Sequence, residues 1–234
     1  MIDEGRCHLV IRADGHWAGV CRLRLADGEV AAFVEEVTER APEASVEWIV
    51  SEWDTPTDLV ARLRAAGCRE PGPPYDPVFA ALATDHEPPA VDGFEIGRVE
   101  TYEDFLAGLE VQIAASAHAD AWAAEYRADA AQTWERRHAR DGGEWLAYLD
   151  GRPVGYAGAV AGPRGLYLTG GATVPEARGR GCYRALTRAR WDEAVRRGTP
   201  GLVVHAQEAS SRPILERLGF ERVCTMYELA SGPA

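Results

Sequence analysis

Val174-Pro175-Glu176-Ala177-Arg178-Gly179-Arg180-Gly181-Cys182-Tyr183-Arg184-Ala185-Leu186 is the stretch on which the fold turns. An apolar strand stops at a proline, two glycines and three arginines follow, and an amphipathic helix begins. Such a junction leaves several backbone N–H groups without intrahelical partners and aims them the same way. The helix dipole adds about half a positive charge there. Glycine lets backbone approach an anion closely, and arginine adds charge-assisted hydrogen bonds. The junction reads as a receptor for phosphate or diphosphate. The plainer alternative is a solvated, basic helix start, but arginine at a helix N-terminus opposes the dipole unless an anion arrives.

Three phosphate motifs compete for it. A P-loop needs Gly-Lys-Ser/Thr after four residues, and no lysine stands here. A dinucleotide fingerprint needs a third glycine, where Arg184 stands. The third is the acyl-CoA loop, Arg/Gln-x-x-Gly-x-Gly/Ala, of the GNAT N-acetyltransferases. Arg178 and Gly181 match it in identity and spacing, while Tyr183 replaces the usual last small residue. The chain resembles that family further on. Gly201 to Ala206 reads as a buried strand, and Ser211 to Phe220 resembles the family's next helix with its Leu-Gly-Phe ending. Trp145 to Gly158 resembles its central hairpin. The resemblance spans about residues 92–230 and implies the GNAT fold, an α/β (α+β) architecture with a mixed central sheet flanked by helices.

A Pro-rich polar stretch near Asp85–Gly93 marks a linker. The expected organisation is therefore an α/β domain over 1–85, a linker over 86–93 and a GNAT domain over 94–234. In the first domain, Val30, Phe33, Val34 and Val37 share one face of a helix over 29–40. A strand follows at 46–50, then a helix over 57–66 with Thr55 or Thr57 as N-cap and Gly67 as its stop, then a strand over 77–84. That order echoes the C-terminal half, so the domain is either a degenerate partial GNAT copy or an unrelated α/β segment. Without an arginine–glycine loop it is assigned no CoA site.

In the second domain a strand is expected at 94–100. Thr101 caps a helix, and one or two helices run from about 106 to 140, broken near 117–120. Strands follow at 144–150, 153–161 and 165–174, the first pair joined by Asp150-Gly151-Arg152-Pro153.

The net charge of −12 argues against nucleic acid as partner and is compatible with an amine substrate. No apolar run reaches the length of a membrane span, and Met1 to Glu4 lacks a secretory core. Five scattered cysteines give no zinc spacing and suit a reducing cytoplasm. No metal site is expected. A homodimer is left open.

The resemblance implies acetyl-CoA as co-substrate, held by Thr173, Val174, Arg178, Gly179, Arg180, Gly181, Cys182, Tyr183 and Arg184, with N–H groups near Val174 on the pantetheine arm and Ser211 as a further contact. Ser211 is equally an N-cap before Pro213. Cys182 is either a thiol activated by its helix start and arginines or a small apolar filler. An amine, on a small molecule, would attack the thioester directly. The family's usual acid, a tyrosine, is replaced by Leu215, and its usual asparagine by Glu208. The remaining candidates for proton transfer are His205, Glu208 and Tyr227, each with a structural alternative: core histidine, helix-start acid, packed tyrosine. Trp122, Tyr126 and Trp134 either line an acceptor pocket, where a ring face can hold a cation, or form core. Two other readings stand beside the enzyme: a non-catalytic acyl-CoA sensor, and a protein N-acetyltransferase recruited through residues 1–90.

Overall fold

The computed structural model describes residues 2–3, 5–12, 15–72, 76–117, 120 and 122–233. The chain begins with β1 (Ile2–Asp3), β2 (His8–Ile11) and β3 (Trp17–Cys21), then α1 (Val30–Arg40), β4 (Ser45–Ser51), α2 (Leu59–Ala65) and β5 (Val78–Thr84). It continues with β6 (Glu95–Arg98), α3 (Tyr102–Ala115), α4 (Ala123–Ala128) and α5 (Ala130–His138). The strands β7 (Gly142–Leu149), β8 (Arg152–Gly162) and β9 (Gly165–Thr173) precede α6 (Cys182–Arg196), β10 (Leu202–Gln207), α7 (Arg212–Glu216) and β11 (Glu221–Ser231). The architecture is the mixed α/β one expected.

Two compact units result. The first takes residues 1–82, 205–213 and 222–234, and the second takes 83–204 and 214–221. The sequence assigned all of 94–234 to one domain. The last strand breaks that assignment, because β11 pairs antiparallel with β4 from Met226↔Ser51 to Ser231↔Val46.

In the first unit, β2 and β3 are antiparallel, β3 and β4 parallel, and β11 lies between β4 and β5. The predicted face of α1, Val30, Phe33, Val34 and Val37, is buried against Leu23, Trp48, Leu63 and Leu229. Trp48 is fully buried, and its Nε1–H donates to Ser231 Oγ at 2.9 Å. That bond satisfies the one polar atom the indole brings into the core. The α2 helix starts at Leu59 behind Asp58 with no side-chain cap, so neither threonine caps it. Gly67 stops it in the left-handed region, φ 93°.

In the second unit the strand order is β10-β9-β8-β7-β6. The β7–β8 turn has Asp150 at φ 50° and Gly151 at φ 73°, the primed turn that the Asp-Gly pair favours. Thr101 caps α3 with a full capping box: its hydroxyl accepts from Asp104 N at 3.1 Å while the Asp104 carboxylate accepts from Thr101 N at 3.0 Å. The expected break near 117–120 is borne out by α3 ending at Ala115 and α4 starting at Ala123, with His118 and Ala119 outside the described residues.

Opposite faces of β8 receive the helices. Gly108 of α3 lies against Tyr156, and Cys182 of α6 lies against Gly155. A Cβ on Gly155 would stand 2.3 Å from Cys182 Sγ.

Candidate functional site

The β9–α6 junction has the form the sequence anticipates. After β9 come Val174, a 3-10 turn over Pro175–Ala177, and the loop to Gly181. Gly179 and Gly181 take φ 73° and 98°, where a side chain is strained. The first bond of α6 runs from Ala185 N to Gly181 O at 3.0 Å. The N–H groups of Gly179 through Arg184 ahead of it make no hydrogen bond among the described residues. Arg180 and Arg184 are exposed and form no ion pair there. An anion therefore finds N–H donors, a helix start and two uncommitted guanidinium groups together.

Four of the expected contacts are placed differently. Val174 N donates to Val154 O at 3.0 Å, because the β8–β9 ladder runs one residue past β9, so this amide is spent. Arg178 is also committed. Its Nε donates to Thr173 O at 3.2 Å and its Nη2 to Ala115 O at 2.7 Å, which caps the end of α3. Cys182 is buried, and burial pushes its thiol up against a smaller opposing effect of the Thr173 hydrogen bond. It is the filler and not the activated nucleophile. Tyr183 lays its ring over Gly171, whose added Cβ would meet Cε2 at 2.8 Å, and so finds room where a small residue is usual.

The β9 strand carries a second feature. Opposite β8 the register passes from Gly158↔Thr169 to Ala157↔Gly171. Gly170 is the extra residue, a bulge at φ 53°, and such a residue leaves the ladder. Parallel pairing with β10 covers Leu166–Leu168, so Thr169 to Thr173 lie beyond it. Behind the bulge is Arg190, with no exposure at all. It donates to Gly158 O at 3.3 Å, Leu186 O at 3.1 Å and Thr187 Oγ1 at 3.2 Å. No carboxylate neutralises it among the described residues, and burial holds its pKa down.

Thr169 and Gly170 also line a cavity of about 420 Å³. Its polar wall includes Arg98, Arg137, Arg140, Glu100, Glu144 and Tyr156. Arg137 Nη1 donates to Tyr156 Oη at 3.0 Å and approaches Glu144 Oε1 at 3.4 Å. Burial, and secondarily Glu144, push the Tyr156 phenol up, which favours its neutral, hydrogen-bonding form. Of the aromatic candidates, Trp134 lines the cavity and packs on Phe105 and His138 at centroid distances of 5.7 and 4.4 Å. Trp122 and Tyr126 pack edge-to-face on each other at 4.8 Å and are not among the lining residues.

His205, Glu208, Ser211 and Tyr227 fall in the first unit. His205 packs on Phe79 at 5.3 Å, and desolvation holds its pKa below the usual histidine value. Glu208 is spent on Arg212 at 2.7 Å and Arg222 at 2.5 Å. Ser211 Oγ accepts from Gln207 N at 2.9 Å. Tyr227 packs against the first unit's core. Leu215, at the position of the family's tyrosine, is fully buried. Trp134 apart, the bulge and the cavity residues have no counterpart in the sequence reading. Gly170-Gly171 within a strand was the available signal for the first. The cavity has none, since its wall is assembled from β6, α3, α5, β7, β8 and β9. Among the described residues no cluster could hold a metal ion.

Residues 110–220 match the model of the "Acetyltransferase (GNAT) family". Among solved structures the chain is similar to a GCN5-related N-acetyltransferase from Kribbella flavida, with 17% identity, TM-score 0.72, and 98% of this chain and 91% of that chain covered. It is similar to a tandem GNAT protein from the clavulanic acid biosynthesis pathway, with 18% identity, TM-score 0.65 and coverage of 97% and 79%. A third is a GCN5-related N-acetyltransferase from Sphaerobacter thermophilus, with 16% identity, TM-score 0.62 and coverage of 96% and 75%. No curated protein matches the sequence. Over residues 110–220 the chain matches the acetyltransferase (GNAT) family model, and its fold is that of GCN5-related N-acetyltransferases.

Proposed function

We propose that this protein is an acetyl-CoA-dependent N-acetyltransferase acting on a small-molecule amine. The observation that carries the reading is the junction from Gly179 to Arg184, whose N–H groups and two uncommitted arginines form a diphosphate receptor at the end of β9. Acetyl-CoA supplies an activated acyl group. The chain supplies the rest: the loop holds the diphosphate, the Gly170 bulge offers backbone dipoles along β9, and the cavity bordered by that bulge takes the acceptor. The amine nitrogen forms the new C–N bond as the C–S bond breaks, the sulfur leaves as thiolate, and the proton lost from nitrogen passes to solvent water. Holding two reactants in register is itself worth a large share of such a barrier, which suits a site where Leu215 replaces an acid. The five free cysteines fit a reducing, cytoplasmic setting.

Calorimetry with coenzyme A tests the reading. Replacing Arg180 and Arg184 together by Gln should weaken binding about a hundredfold or more, at about 1.5–3 kcal/mol for each hydrogen bond to a charged group, and should flatten its salt dependence. No heat from folded wild-type protein would end the proposal. Thiol release from acetyl-CoA over a panel of amines then separates an enzyme from a sensor, the second reading that the apolar Leu215 favours.

The first unit reads as a degenerate second copy of the same fold. Its β2–β3 hairpin, helix α1 and β4 parallel to β3 repeat the arrangement of β8, β9, α6 and β10. At the corresponding junction, Glu29 Oε2 accepts from Ala26 N at 2.9 Å. Asp27 stands beside it. A carboxylate of the chain thus holds an anion's place, and no coenzyme site is assigned there.

A further inference from the structure

The cavity beside the Gly170 bulge has a wall rich in charged side chains. The protein is strongly acidic, at −12, yet three arginines, Arg98, Arg137 and Arg140, face two carboxylates, Glu100 and Glu144, across this wall. They are not equally available. Arg98 is committed to Glu193 at 3.2 Å and to Gly142 O at 2.7 Å, with its guanidinium over Trp145. Arg137 lies 5.8 Å from the Phe105 ring centroid and hydrogen-bonds only through Nη1, and its contact with Glu144 is long, at 3.4 Å. Its Nε and Nη2 donors have no partner among the described residues. Arg140 forms no ion pair there either, nor does Glu100.

Basic residues in the last turn of α5 suit the helix dipole. The dipole accounts for their charge but not for a guanidinium edge that lines a cavity and has only solvent to bond, where a ligand carboxylate can replace that solvent with charge-assisted hydrogen bonds. A guanidinium edge of Nε and Nη2 fits a planar carboxylate with two parallel hydrogen bonds. The uncommitted Glu100 carboxylate on the same wall offers the opposite charge to an ammonium group.

Building on the acyl-transfer reading above, we propose that the acceptor is an amine that also carries a carboxylate, an amino-acid-type molecule whose anionic end is held by the free edge of Arg137 with Arg140 beside it. The volume of about 420 Å³ is within the range of small-molecule sites. A purely cationic polyamine would bring like charge to three arginines and leave the fork unfilled.

The test is equilibrium binding to the full-length protein, followed by calorimetry, of matched pairs: an amino acid against its carboxamide, with an aminoalkyl phosphate of similar length as a third ligand. The acids should bind at least tenfold tighter than their amides. Arg137→Lys and Arg140→Gln should each shrink that ratio severalfold. Arg140→Gln removes an exposed side chain with no ion pair, so folding is not at stake, while Arg137→Lys keeps the charge and removes the fork. Tighter binding of the phosphate than of the acid, lost in the same variants, keeps the anion site and overturns the carboxylate. Equal affinity for acid and amide overturns the proposal whatever the turnover. An intact acid preference without thiol release from acetyl-CoA sinks only the acyl-transfer reading and leaves the anion site in place.

Discussion

Cys182 shows how one residue changes meaning with its surroundings. In the sequence it stands among arginines at a helix start, a setting that lowers a thiol pKa. In the fold it is the knob under which β8 has had to give up a side chain: Gly155 has no room for a Cβ. The pair is a single packing unit, and its coupling is measurable. Gly155→Ala alone should destabilise by about 1–3 kcal/mol through overpacking. Cys182→Ala alone should leave a small void. The double variant should recover much of the loss, a coupling in the range of about 0.5–3 kcal/mol seen for touching residues. Urea unfolding of the four proteins checks this, and additivity would mean that the two sites do not touch. Arg178 follows the same course. Its spacing marks it as a coenzyme ligand, but the carbonyls of Thr173 and Ala115 claim its guanidinium.

Among the elements, α6 carries the most concentrated electrostatics. Glu193 accepts from Arg196 and Arg197 on its own helix and from Arg98 of β6. Arg196 first, then Arg197 and Arg98, draw its carboxyl down from 4.5 to about 2. A folded-state pKa below the unfolded one stabilises the fold above the unfolded value and loses that contribution as pH falls towards the folded value. The stability advantage of wild type over Glu193→Gln should therefore be full above about pH 4.5 and fade towards pH 2. Chemical unfolding at a series of pH values reads this directly, and a pH-independent difference would refute it.

Local pattern made most elements legible. The 3.6-residue spacing of Val30, Phe33, Val34 and Val37, the Thr101 cap and the Asp150-Gly151 turn each carry their own cause. The shape of the glycine–arginine loop between β9 and α6 was legible for the same reason, being a contiguous motif. The bulge at Gly170 and the wall of Arg137, Glu144 and Tyr156 were not, because they depend on register between strands and on side chains far apart in the chain. The assignment of β11 was beyond reach too, since nothing in Glu221 to Ser231 states which strand it will pair with.

At the scale of the whole chain, the partnership of β4 and β11 governs which fragments can exist. The sheet of the first unit includes a strand drawn from beyond residue 221. Residues 91–234 expressed alone would leave β11 without β4, and residues 1–90 would leave β4 and Trp48 without β11 and Ser231. Both fragments should give the far-UV circular dichroism and proton spectra of poorly folded chains, while the two co-expressed should reassociate. A cooperatively folded fragment 1–90 would show that β11 is dispensable. Net charge acts at this scale as well. The acidic body repels anionic ligands at long range, while the arginines of the loop and cavity attract them locally. Moderate salt should therefore screen the unfavourable long-range part within a Debye length of about 8–10 Å.

The same strand also sets a schedule for synthesis. A ribosome that has released β5 must still add the whole of the second unit before Glu221 emerges. At about 5–20 residues per second that delay is on the order of ten seconds. Throughout it, the flank of β4 that β11 will cover offers free N–H and C=O groups to any passing strand. The nascent N-terminal half is thus exposed to mispairing with its neighbours on a polysome, and trigger-type chaperones or a slowed translation rate would be expected to raise the yield of folded protein.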